Sequence, residues 1–334
     1  MQIRGQAAHA AKQPLQPFSY EPGELGAHDV EIRIHYCGIC HSDIHLIDND
    51  WGWSTYPFIP GHEIIGAVTE AGKAVTHLKA GQRVGVGWQA GSCRVCEWCI
   101  SGEENLCPQS EATCLGRQGG FAEAIRLGSR FVFPIPDALD SQSAAPLLCA
   151  GITVYTPLRD WGVAPSRKVG VVGIGGLGHL AIRFAAAFGC EVTAFSTSAD
   201  KQEEAGRLGA HHFVLSSDGD QMAKAANSLD FIIATPYTGA DWVGYVNALR
   251  PKGTLCIVGA SPGVLNVPPI LLLLQHKKIC GSIIGNRSAI QEMLAFAARH
   301  GIGATTELMP LSQVNAAIDK ARAGKARYRV VLKV

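Results

Sequence analysis

Residues 168–215 read KVGVVGIGGLGHLAIRFAAAFGCEVTAFSTSADKQEEAGRLGAHHFVL, a text that passes from strand to helix and back twice. KVGVV is a short β-branched run of the kind buried inside a parallel sheet, and GIGGLG after it is a turn. An apolar helix, a second strand (EVTAFS), a polar helix and a third strand (HHFVL) follow in order. FIIAT (231–235), TLCIVGA (254–260) and KICGSII (278–284) are three further strand candidates, so the expectation is a six-stranded parallel sheet with crossover helices, a doubly wound α/β domain. Gly173, Gly175 and Gly178 stand at G-x-G-x-x-G spacing where the first strand gives way to the first helix. The first permits a tight turn, the second lets backbone amides approach a pyrophosphate, and the third lets helix pack on strand. With Gly176 and Leu177 between them, this turn is the expected dinucleotide site; the alternative is a glycine-rich packing turn.

Cofactor choice is written at the tip of the second strand, where an acidic side chain would hold the ribose of NAD. The tip reads Ser196, Thr197, Ser198, with Asp200 and Lys201 just beyond. Hydroxyls and a cation favour a 2′-phosphate and a carboxylate would repel it, which points to NADPH. The competing explanation is that these residues cap the next helix, with Asp200 close enough to count against a phosphate. Thr153, ahead of the first strand, and Val258, Gly259 and Ala260, at the end of the fifth, complete the expected cofactor-binding set.

Upstream the texture changes. From Ala27 to Val86 short β-rich runs (VEIRIHY, IIGAVTEAG, RVGVG) alternate with Gly, Pro and Asp, and FAEAIRLGSRFVFPIP resumes strand-like text up to Pro136. A compact, mostly antiparallel β domain is expected, its loops carrying metals. SAAPLLCAGITVYTPLRDWG (143–162) reads as a helical bridge to the α/β domain.

Two cysteine-bearing stretches interrupt the β domain. Cys93, Cys96, Cys99 and Cys107 are separated by two, two and seven residues, and four thiolates from one short lobe can close a tetrahedron around a structural zinc. An iron–sulfur run would have a last gap of three. The second stretch, Gly38 to Glu63, is GICHSDIHLIDNDWGWSTYPFIPGHE. Cys40 and His62 are donors of the kind zinc prefers, and Ser42 and His45 are able to pass a proton onward. Cys37, two positions before Ile39 in a strand-like run, is expected to be a buried thiol rather than half of a redox pair. His45 is read as a surface-connected imidazole, the alternative being a solvated loop residue. Ser42 has simple turn duty as its alternative. Trp51, Trp53, Tyr56 and Trp88 either line a substrate pocket or pack a core. Cys114, Cys190, Cys256, Cys280, His41, His179, His211 and His212 lack ligand spacing and are assigned to structure.

Composition bounds the rest. At 334 residues two domains are expected, and 47% apolar against 17% charged residues permits a large core. A net charge of +1 without basic clusters gives no footprint for nucleic acid or an anionic membrane, so small near-neutral partners are expected. MQIRGQAAHA lacks the apolar centre of a signal peptide and the longest strongly apolar run, Ile270 to Leu274, is too short to span a bilayer. A cytoplasmic location is expected, where eleven cysteines are metal ligands or free thiols rather than a disulfide framework.

GICHSDIH, NDWG, YPFIPGHE, the four-cysteine lobe, PLLCAGITVY and GIGGLGH together resemble the zinc-containing medium-chain dehydrogenase/reductases, cinnamyl alcohol dehydrogenase branch, over nearly the whole chain. The closing KARYRVVLK is similar to the bacterial broad-specificity NADPH-dependent aldehyde reductases of that branch. The resemblance implies a GroES-like catalytic domain (1–150 and 286–334, zinc lobe about 91–109) and a Rossmann domain (151–285). It implies two Zn2+ ions per chain: one on Cys40, His62 and Cys149 with Glu63 as a resting ligand, and one on Cys93, Cys96, Cys99 and Cys107. Cys149 enters only this way, since by itself it reads as an apolar-helix thiol. Ser42 and His45 are implied as a proton relay with Asp50 near it, serving aldehyde reduction by NADPH, and the KICGSII edge strand would pair across a homodimer. An NAD-linked or dedicated cinnamyl-type alcohol dehydrogenase, or a non-catalytic NADPH-binding protein, are the other readings.

Overall fold

The computed structural model describes residues 2–236, 240–260 and 263–334. The chain divides into two compact units, Thr153–Ile284 and the combination of Met1–Ile152 with Gly285–Val334.

In the first of these, six strands form one sheet in the order His212–Leu215, Glu191–Ser196, Lys168–Val172, Leu229–Ala234, Leu249–Ile257, Lys278–Gly281. Every ladder is parallel. Val169, Val171, Val192, Ala194, Ile232 and Ile233 are fully buried, the continuous apolar pattern of strands covered on both faces. The chain winds outward from Lys168–Val172 on one side, then returns to its other side, so the order reverses at the carboxyl ends of Lys168–Val172 and Leu229–Ala234. The glycine turn sits at that reversal. Gly173 has φ +84°, and a Cβ at Gly178 would overlap the carbonyl oxygen of Gly173, so both are required by the backbone itself. The fifth strand starts earlier than TLCIVGA and ends at Ile257, which leaves Val258, Gly259 and Ala260 just beyond its carboxyl end. The apolar run at 270–274 contributes a four-residue helix, Ile270–Leu273, whose neighbour Leu274 is 76% exposed.

The other unit is built on a seven-stranded sheet. Thr306–Pro310, Arg329–Lys333, Asp29–Gly38, Glu63–Ala71, Arg83–Val86 and Val132–Pro134 follow one another, and Ala124–Gly128 also pairs with Asp29–Gly38. The ladders are antiparallel except the one between Thr306–Pro310 and Arg329–Lys333. Register decides what meets in the middle. Gly38 lies opposite Glu63 on one side and Val331 on the other, and Cys37 lies opposite Ile64 and Leu332. A Cβ at Gly38 would overlap the Glu63 carboxylate. Cys37 is fully buried in this sheet, among Ile32, Ile64 and Val330.

The stretch 143–162 is not one helix, contrary to its reading in the sequence. Helix Ser141–Ala144 tightens into a 3-10 turn, Ala145–Leu148, and a new helix, Ala150–Asp160, starts after Cys149. Cys149, at φ −127° and ψ −72°, is the break, next to a turn that opens on Pro146. Among the described residues no helix is long and apolar enough to cross a membrane.

Candidate metal centre and proton path

Cys40 is the N-cap of the helix His41–Asp48, which begins where the strand Asp29–Gly38 ends. Asp43, at the third position of that helix, reaches back so that its Oδ2 accepts from Cys40 N at 2.9 Å. Its other oxygen accepts from Gly61 N and lies against His62 Nδ1, each at 2.9 Å. One fully buried carboxylate thus fixes the helix start, the Gly61 turn and the His62 ring. The Nδ1 contact turns His62 Nε2 toward the sulfurs, as in a histidine oriented for a metal.

Donor atoms of Cys40, His62, Glu63 and Cys149 all lie within 4.8 Å of one another, and all four residues are buried. The two sulfurs are 3.9 Å apart, against about 3.8 Å for the edge of a tetrahedron with ordinary zinc–sulfur bonds. His62 Nε2 and Glu63 Oε2 are buried without a hydrogen-bond partner, the condition of ligand atoms rather than of core polar groups. Cys40 is held well below the ordinary thiol range, by the hydrogen bond from Cys149 first, while Cys149 is held well above it for the same reason. A divalent cation between the two sulfurs would favour the thiolate form of both. These residues fit zinc. Burial pushes the Glu63 carboxyl up to about 7, opposed by Arg329, whose guanidinium pairs with it directly. Burial works against the charge on Arg329, yet Glu63 keeps its pKa raised.

The second thiol cluster is equally compact. Cys93, Cys96, Cys99 and Cys107 have their sulfurs within 4.8 Å of one another, with Cys93 and Cys99 at 3.9 Å. Backbone amides of Cys96 and Gln109 point at the sulfurs of Cys93 and Cys107, each at 3.3 Å, and the amides at Cys93 hold its thiol below the ordinary range. The donor set is closed and all-sulfur, as in a structural zinc site.

Ser42 Oγ lies 3.7 Å from Cys40 Sγ, and His45 stands one turn further along the same helix. His45 is neither surface-exposed nor in a loop: it is buried, with Nδ1 at 2.8 Å from Asp50 Oδ2. Its link to solvent is Asp50, whose side chain is 37% exposed. The aromatic residues separate. Trp88 stands edge-on to His62 at 4.9 Å, Trp51 lies 5.1 Å from His45 and 6.5 Å from Trp88, and Trp53 stacks outward on Trp51. Tyr56 serves the helix instead, its hydroxyl donating to Ile47 O at 2.9 Å.

Elsewhere, Gly173, Gly175, Gly176, Leu177 and Gly178 form the turn entering the helix Gly178–Ala187. Gly175 is the one of the three motif glycines at which a Cβ would meet no protein atom within 4 Å, so packing within the turn does not require glycine there. Ser196 ends its strand with Oγ accepting from Ser198 N at 3.1 Å; Thr197 and Ser198 are exposed. Lys201 Nζ reaches Ile174 O at 3.4 Å, over the glycine turn. Thr153 is buried at the start of this unit. His179 Nδ1 lies 2.9 Å from Gly175 O, His211 Nδ1 accepts from Val192 N, and His212 pairs with Glu191, all structural duties.

Two participants lie inside quoted motifs that give them no role. Asp43 carries a signal in retrospect, since C-x-x-D before an apolar helix is a capping box with cysteine in place of serine. Arg329 has none, because only strand register brings it to Glu63 across 266 positions.

Residues 26–137 match the alcohol dehydrogenase GroES-like domain and 176–299 the zinc-binding dehydrogenase domain. An aldehyde reductase of Synechocystis is 44% identical over 330 residues, covering 99% of this chain and 98% of the relative. A cinnamyl alcohol dehydrogenase of Sorghum bicolor superposes with TM-score 0.97 at 41% identity, covering 100% of this chain and 98% of its own. The structure of a Helicobacter pylori cinnamyl alcohol dehydrogenase complexed with NADP(H) follows at TM-score 0.92 and 35% identity, again covering 100% and 98%. With both domains matched and relatives aligned end to end, the chain belongs to the zinc-binding alcohol dehydrogenase family.

Proposed function

We propose that this alcohol dehydrogenase reduces a broad range of aldehydes to primary alcohols with NADPH and runs the reverse oxidation at the same site. The observation that carries the reading is the buried trio Cys40, His62 and Cys149 with Ser42 Oγ beside it. Those three residues would hold a catalytic zinc, Glu63 serving as resting donor, and Cys93, Cys96, Cys99 and Cys107 a structural one. A zinc held by two thiolates and an imidazole would supply Lewis-acid polarisation of the substrate carbonyl, and NADPH would supply the hydride. The chain's own residues manage the proton. Ser42 donates to the oxygen as negative charge develops there, His45 resupplies Ser42, and Asp50 fixes the orientation of the His45 ring. Trp51 and Trp88 supply apolar surface against His45 and His62.

For NADPH over NADH the support is the tip Ser196, Thr197, Ser198 with the Lys201 ammonium over the glycine turn, and the NADP(H) named for the Helicobacter pylori relative. A homodimer is supported by the uncovered edge strand Lys278–Gly281 beside exposed apolar side chains. A cytoplasmic location accords with the reading of the eleven cysteines as metal ligands or free thiols, and fractionation checks it.

Zinc per chain, measured together with kcat/KM for NADPH and NADH on aliphatic, aromatic and terpenoid aldehydes, tests the reading. Two zinc ions, turnover across the panel and a large preference for NADPH are expected; a cofactor ratio near one removes the phosphate site, and zinc without turnover on any aldehyde removes the reductase.

A further inference from the structure

The helix that carries Ser42 and His45 is only two turns long, and its last residue is Asp48. A carboxylate there faces the negative end of the helix dipole, and this one is 8% exposed, so it requires a cation. Arg322 provides it: Nη1 and Nη2 donate to the two Asp48 oxygens, the latter at 3.0 Å. Arg322 is itself the last residue of the helix Val314–Arg322, where positive charge is favoured. The carboxylates of Asp48, Asp319 and Asp50 all act to keep it charged, Asp48 most strongly. The next residue, Asn49, is left-handed at φ 57° and turns the chain back. Asp50 N then donates to His45 O at 2.9 Å, and Asp50 Oδ2 meets His45 Nδ1 at 2.8 Å. Three consecutive residues thus tie together an external arginine, a reversal and the His45 ring. His41, its ring 6.4 Å from that of His45, and the Trp51 ring also pack against His45 at this corner.

We propose that Arg322 is a positioning residue for proton delivery, acting through Asp48 and Asp50 on His45. Without its guanidinium, two carboxylates two residues apart have no cation between them. Asp50, the more exposed of the two, is then the one that swings into solvent and releases the imidazole. Arg322 contacts neither Ser42 nor any of the four clustered metal donors, so its effect reaches the chemistry only along this path. The inference rests on the reading of His45 as the proton source.

A double-mutant cycle tests it. Turnover per bound zinc is measured for the parent, Arg322→Met, His45→Gln and the combination, with KM for aldehyde and NADPH recorded for each. Arg322→Met is expected to lower kcat about tenfold in the parent but less than twofold in His45→Gln, with both KM values within about twofold. Equal losses in both backgrounds, or no loss in the parent, overturn the inference while leaving the relay standing. If His45→Gln itself turns over like the parent, the relay reading falls first. Should Arg322→Met not fold, Asp48→Asn enters the same cycle: it leaves no buried carboxylate unpaired and removes the same anchor, and the same two patterns decide.

Discussion

A thiol reacts in proportion to its thiolate, and Cys93 is the residue where this protein makes that measurable. The backbone amides of Val95 and then Cys96 pull its pKa down to about 6. In zinc-free protein iodoacetamide should therefore label Cys93 at a rate that is flat above pH 7 and falls as pH drops through about 6, since only the ionised form attacks. Zinc should protect it. Peptide mapping against pH checks both, and a midpoint near that of an ordinary thiol would show that the amides do not act on this sulfur. At this scale legibility follows sequence distance. The four lobe cysteines stand in a short run whose spacing suits a tetrahedral donor set, whereas Cys40 and His62 are marked by donor type within one dense stretch. Cys149 lies 87 positions beyond His62 on an apolar stretch, and only resemblance to a family promoted it. The burial of His45 has no local signal, because exposure depends on what packs over a helix, here Trp51, while its connection to the surface runs through Asp50.

Between elements, two glycines of one motif do different work, and they can be separated. A Cβ at Gly178 would strike the Gly173 carbonyl, forcing the helix Gly178–Ala187 off its strand, whereas at Gly175 it would meet only open space. Gly178→Ala should cost about 1–3 kcal/mol of stability, the range for overpacking a fitted contact. Gly175→Ala should melt like the parent yet raise KM for NADPH severalfold, because its methyl group occupies the pyrophosphate's approach. Calorimetry with cofactor titration distinguishes them, and equal melting losses would mean that the turn is only a packing device. The strand–turn–helix order was legible because period and punctuation are local. The broken helix at Cys149 was not, since Pro146 is tolerated in the first turn of a helix and nothing nearby says that the turn tightens.

For the whole molecule the open question is what covers the sheet edge. Among the described residues Lys278–Gly281 pairs with a neighbour strand on one side only, so its outer backbone groups are a template for another strand. Beside it the sequence places Ile270, Leu273, Leu274 and Ile283, which are 52%, 68%, 76% and 59% exposed. An open edge beside such exposed apolar side chains favours self-association, and a two-fold pairing of identical edges closes it with one isologous contact. Such an interface needs roughly 800 Å² from each partner, and a row of four large aliphatic side chains with a strand edge is of that order. Leu273→Glu with Leu274→Glu should then convert a dimer into a monomer, because each carboxylate would have to be buried against its symmetry mate. Sedimentation equilibrium over a hundredfold range of concentration reads the outcome. A parent that sediments as a monomer throughout, or a variant that remains dimeric, would mean that this edge is not where two copies meet.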